Sequence, residues 1–150
     1  MPNHLTARYG LIHGAYWASY AAIAAYVNLY LLEMGFSSGA IGVLIALAGL
    51  LSALLQPLTA SYADRETSPN LKTINLAIAA LWMLSALGRL VFHKNKVASL
   101  LFYGGCLSLL QLQTPLVNGL GVTSINCGCK LNYGVSKSVS SVTYALVCLV

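Results

Sequence analysis

Of the 150 residues in this chain, 58% are hydrophobic and only 7% charged, and the mean hydropathy is +0.76. A soluble domain carries about a quarter charged residues, so lipid must solvate most of this surface, which excludes a soluble globular domain. The net charge of +5 is scattered over Arg8, Arg65, Lys72, Arg89, Lys94, Lys96, Lys130 and Lys137 at the ends of apolar runs. Loop charges of membrane proteins lie this way, and no basic stripe is left for nucleic acid.

Five apolar runs follow one another, and the expected fold is an all-α, polytopic transmembrane helix bundle. Residues 9–33 are long enough to cross a hydrocarbon core of ~30 Å at ~1.5 Å per residue. A Gly-Phe-Ser-Ser-Gly turn (35–39) leads to a second helix over 40–63. The polar stretch ASYADRETSPNLK then holds Asp64 and Glu66, two of the three acidic residues in the chain, with Glu33 the third. A third helix is expected over 71–92, the turn His93-Lys94-Asn95-Lys96 follows, and a fourth covers 97–120. Residues 121–132, rich in Gly and Cys, read as a loop before a fifth helix over 133–150. That last run has only about 18 residues, near the lower limit for a span, so the chain is expected to be the N-terminal part of a longer protein. A complete five-helix protein is the alternative.

Alternate crossings put Arg8, Arg65, Lys72, Lys130 and Lys137 on one side and Arg89, Lys94 and Lys96 on the other. The positive-inside bias then places the N-terminus in the cytoplasm. Cys106 and Cys148 lie in apolar runs, and the Cys127-x-Cys129 pair has no second ligand pair for a structural zinc. No metal or cofactor site is expected. There is no Ser/His/Asp set, no His-Glu-x-x-His, no phosphate loop and no pair of membrane carboxylates, so enzymatic activity is not expected either.

Small residues at helical spacing, Ala18/Ala22/Ala25 and Gly42/Ala46/Gly49, could let helices approach closely, or could reflect only how common Ala and Gly are here. On the first helix His13, Tyr16, Trp17, Tyr20, Ala24, Val27 and Asn28 share about a third of the circumference at ~100° per residue. Polar groups in hydrocarbon need partners. Tyr20 and Asn28 are therefore expected to face the protein interior, and Tyr9 and His13 to form an interfacial belt. Pro57 invites a kink near the end of the second helix, with Gln56 beside it to satisfy a freed carbonyl. Pro115 does the same in the fourth, with Gln111 and Gln113 just before it. Lys137, Ser141 and Tyr144 share one face of the fifth helix, where the lysine either snorkels to the interface or pairs within the protein.

Three stretches together resemble the major facilitator superfamily. YADRETSPNLK resembles its loop signature after the second helix, with Asp64 and Arg65 as the acid-base pair and Lys72 near the basic end. Ala60 stands for the first glycine, and the second is missing. AYVNLYLLEMGFSSGAIGVLIALAGLLSALLQPLTASYADR is similar to the start of the lactose permease-like, oligosaccharide:proton symporter branch. TPLVNGL followed by LNYGVSKSVSSVTYAL looks like that branch's fourth-to-fifth-helix signature, which also occurs in phenylpropionate- and nucleoside-symporter-like relatives. The resemblance implies the N-terminal part of a twelve-helix transporter with a central cavity and alternating access. It implies proton-coupled uptake of a sugar or oligosaccharide first, or of an aromatic acid or nucleoside second, across a cell (inner) membrane. Its remaining partners would be the lipid bilayer and the C-terminal remainder of the same protein, which bears the coupling carboxylates.

Carried over residue by residue, the family's substrate-pairing acid falls on Asn118 and its arginine on Lys137. Tyr144 falls where an aromatic ring packs against the sugar, and Ser140 and Thr143 replace close-packing glycines. With Tyr20, Asn28 and Ser141 these make the expected solute site. Asp64, Arg65 and Lys72 make the conformational-switch loop, and Glu66 reads as a solvated turn residue. Asp64 at a helix C-terminus opposes the local dipole, so a basic partner on another helix is expected. The competing readings are a small non-transporting structural or accessory membrane protein, or a truncated, inactive transporter fragment.

Overall fold

In the computed structural model, residues 4–65 and 67–149 are described, and every regular element among them is helical. Glu66 and Val150 lie outside the described residues. Six helices run in order: α1 (His4–Ala24), α2 (Val27–Glu33), α3 (Ser38–Ala63), α4 (Leu71–Val91), α5 (Lys96–Asn126) and α6 (Tyr133–Cys148). Helices α3, α4 and α5 are each long and apolar enough to cross a membrane. Leu47, Leu50, Leu54 and Leu58 on α3 and Leu76, Met83, Leu84 and Leu87 on α4 are all exposed. Leaving such a side chain in water forfeits ~1.5–3 kcal/mol each. Helices, with their backbone bonds satisfied internally, are what lipid tolerates. This is a helical membrane protein.

Local chemistry explains the helix ends. Ser37, Asn70, Asn95 and Asn132 cap the starts of α3, α4, α5 and α6, each side-chain oxygen accepting a first-turn N–H at 3.1–3.3 Å. Gly35 after α2 and Gly128 after α5 adopt φ of 84° and 78°, where a Cβ is disfavoured. Each closes a paired turn: Gly35 and Phe36 donate to Leu32 and Leu31, and Gly128 and Cys129 donate to Ile125 and Ser124.

Two boundaries differ from the sequence reading. The first run is interrupted at Ala25-Tyr26, without Pro or Gly, where the Tyr26 hydroxyl donates to the Val147 carbonyl at 3.0 Å. Helix α5 continues past residue 120 to Asn126. Ser124, read as a loop residue, turns its hydroxyl back to Leu120 O at 2.8 Å, and the first stop signal is Gly128. The prolines do not break their helices: α3 runs through Pro57 and α5 through Pro115. Gln56 donates to the Ser52 hydroxyl at 3.3 Å rather than to a freed carbonyl.

The chain divides into two units, one formed by the residues up to Val27 and from Val117, the other by Asn28–Leu116. In the second, Ile74 and Ile78 of α4 pack with Leu112 and Leu116 of α5. A polar ladder lies beside them: Trp82 donates to Gln113 Oε1 (2.8 Å), Gln113 to Asn75 O (3.1 Å) and Asn75 to Leu116 O (3.2 Å). The Arg89 guanidinium lies 4.5 Å from the Tyr30 ring centroid and 5.4 Å from that of Tyr103, a cation–π arrangement.

Candidate functional site

In the first unit α1 packs along α6. Gly10 and Gly14 line this contact, and it is at Gly14 that a side chain would be crowded. A Cβ on Gly10 would meet Ser136 Cα at 3.7 Å, and one on Gly14 would meet Thr143 Oγ1 at 3.3 Å. The Ala18/Ala22/Ala25 row does not serve this purpose, since Ala22 and Ala25 are exposed; nor does Gly42, with nothing within 4 Å of its would-be Cβ. The close-packing glycine positions that the family resemblance places on the fifth helix hold Ser140 and Thr143. The space is made by glycine on the opposite helix.

Hydrogen bonds then tie the pair. Thr6 accepts from Asn132 N–H (3.1 Å) through its hydroxyl and from Ser136 (3.1 Å) through its carbonyl. Tyr9 donates to Val117 O at 3.1 Å and stacks on Tyr133 with centroids 5.9 Å apart. His13 is fully buried; its Nε2 lies 2.9 Å from Asn118 Oδ1, and its Nδ1 contacts the Ser140 hydroxyl. Asn118 Oδ1 also accepts from the Tyr133 hydroxyl at 3.3 Å. Tyr9 and His13 are therefore interior groups, and the expected interfacial belt does not form. Hydrocarbon offers His13 no acceptor, and α5 and α6 offer two.

Neutral His13 fits this site by donating through Nε2–H to Asn118 Oδ1 and accepting at Nδ1 from the Ser140 hydroxyl, which can turn its proton either to the ring or to Ser136 O (3.3 Å).

One turn further along, Trp17, Lys137, Ser140, Ser141 and Tyr144 line a partly open cavity of about 260 Å³. Trp17 meets Tyr144 edge-on, with centroids 5.9 Å apart at 76°, and Tyr20 sits against Trp17 at 5.3 Å. Lys137 is exposed, its Nζ 5.6 Å from the Tyr133 centroid. Of the residues expected to bind solute, Lys137, Ser141 and Tyr144 line the cavity together. Tyr20 borders its aromatic wall, and Asn118 lies in the buried network behind. Asn28 belongs to the other unit and is exposed on α2 rather than turned inward. Trp17 and Ser140 complete the lining. Trp17 could be found from its place on the aromatic face of α1, whereas Ser140 was masked by its reading as a displaced glycine.

Asp64, Arg65 and Lys72 are exposed around the α3–α4 turn. Asp64 caps α3, its N–H donating to Ala60 O at 3.0 Å, and the Ser68 hydroxyl donates to Ala63 O at 3.0 Å.

Helices long and apolar enough to cross a membrane make this a helical membrane protein. The profile of the MFS_1 like family matches residues 9–150, and the chain belongs to that family, a group of transporters of the major facilitator type. No curated protein and no solved structure matches the chain.

Proposed function

We propose that the protein acts as a secondary active transporter, taking up a small organic solute together with protons by alternating access in the cell membrane, with its N-terminus cytoplasmic. The single observation that carries this reading is the cavity bringing Lys137, Ser141 and Tyr144 together with Trp17. Rings supply apolar area and orientation, while a few polar tips fix the solute. Sugar or oligosaccharide is the solute suggested by the lactose permease-like motifs, with an aromatic acid second. His13, buried yet with two oxygens to receive its protons, is the group we assign to proton binding in this unit. Asp64, Arg65 and Lys72 form the switch loop, holding helix ends while the cavity faces outward.

The test is uptake by cells expressing the protein, measured with a panel of labelled sugars and organic acids under an inward proton gradient. Uptake above empty-vector cells, abolished by a protonophore and by both Lys137→Ala and Tyr144→Ala, is expected. Uptake untouched by both substitutions would remove this cavity as the solute site.

A further inference from the structure

We propose that the end of the second unit where α2, α4 and α5 meet binds the phosphodiester of an anionic phospholipid, with Arg89 and Lys96 as its donors. Neither the α1–α6 cavity nor the transported solute enters into it.

Arg89 has its charge partly met and its hydrogen bonds unmet. The Tyr30 and Tyr103 rings stack with centroids 5.7 Å apart, and the partly buried guanidinium sits against both. Rings attract the charge, but the five N–H donors of a guanidinium still require oxygen. Among the described residues no oxygen accepts a hydrogen bond from Arg89 or from Lys96.

Lys96, the first residue of α5, reaches the same place. Its Nζ lies 3.1 Å from where a Cβ on Gly35 would stand, just past the end of α2. Capping α2 does not consume it, since the carbonyls of Tyr30, Leu31 and Leu32 already accept from Met34, Phe36 and Gly35 at 2.9–3.2 Å. From Tyr30, beside Arg89, to Gly35, beside Lys96, is about 7 Å along a helix axis at ~1.5 Å per residue. Phosphate oxygens accept at ~2.8 Å from each donor, so one phosphate group spans a separation of that order.

The surrounding charge suits an anion. The turn adds His93 and Lys94, both exposed, and Glu33 is the one carboxylate of α2. Asp64 stands before α4 begins at Leu71, and Arg89 lies ~27 Å further along that helix. The apolar rim selects a lipid over a free ion. Val91, Phe92, Val97 and Leu101 flank the turn and are all exposed, at the joined ends of two helices able to cross a membrane. Cations at that level attract anionic headgroups; an acyl chain gains by covering such a rim, and inorganic phosphate does not.

Native mass spectrometry of the purified chain, released from mixed phosphatidylglycerol and phosphatidylcholine micelles, counts the lipids retained. One phosphatidylglycerol should stay bound, about tenfold preferred over phosphatidylcholine, with the preference falling as salt rises. Arg89→Gln and Lys96→Gln should each bring it down to about twofold or less. Lys72→Gln, which removes the same charge at the other end of α4, should leave it unchanged. Lys96 is exposed, so its variant keeps the test open where Arg89→Gln fails to fold. Equal retention of the two lipids, or an equal loss in all three variants, would overturn the site. Displacement of the lipid by millimolar inorganic phosphate would overturn the lipid and leave a free-anion site.

Discussion

Two glycine-to-alanine substitutions, at Gly121 and Gly42, separate packing from propensity. Both glycines lie inside helices, so each replacement should gain up to ~1 kcal/mol of intrinsic helix preference. At Gly42 nothing lies within 4 Å of the new Cβ, and the gain should be kept. At Gly121 the Cβ would lie 2.6 Å from both Cζ and the hydroxyl oxygen of Tyr9, and 2.9 Å from Tyr133 Cε2. Carbon contacts are comfortable at ~3.5–4.0 Å, so the Tyr9 ring must retreat by about 1 Å. It is not free to do so, because its hydroxyl is held by Val117 O and its face by Tyr133. Losing that hydrogen bond costs ~0.5–1.5 kcal/mol, and spoiling the ring pair costs a similar ~0.5–1.5 kcal/mol. After the propensity gain, Gly121→Ala should be about 1 kcal/mol less stable than the parent and about 2 kcal/mol less stable than Gly42→Ala. At ~2–4 °C per kcal/mol, thermal unfolding of the purified protein in detergent should separate the two variants by about 4–8 °C. Coincident melting curves, or a more stable Gly121→Ala, would refute the packing described for Tyr9.

Gly128→Ala should lower the melting temperature by about 2–4 °C for a cost near 1 kcal/mol, since its φ of 78° is strained for any Cβ; proteolysis should rise in the segment after α5, and an unchanged melt would contradict the cap. Asp64→Asn should slow transport turnover more than it weakens solute binding; equal turnover would reduce the α3–α4 segment to a simple turn.

How much of this was legible depended on whether one helix alone carried the signal. Long apolar runs between capped polar turns are local, and the helices follow them, as does the clustering of Lys137, Ser141 and Tyr144 on one face of α6. The end of α5 was misread because Ser and Thr look like loop residues, while in hydrocarbon they bond back to their own helix, as Ser124 does to Leu120. The close helix approach was sought on the Ala18/Ala22/Ala25 and Gly42/Ala46/Gly49 rows, whereas α1 meets α6 at Gly10 and Gly14, opposite Ser136 and Thr143. The burial of His13 was invisible for the same reason. Its partners Asn118 and Ser140 are more than a hundred residues away, and an aromatic or histidine near a helix end looks the same whether it faces lipid headgroups or protein.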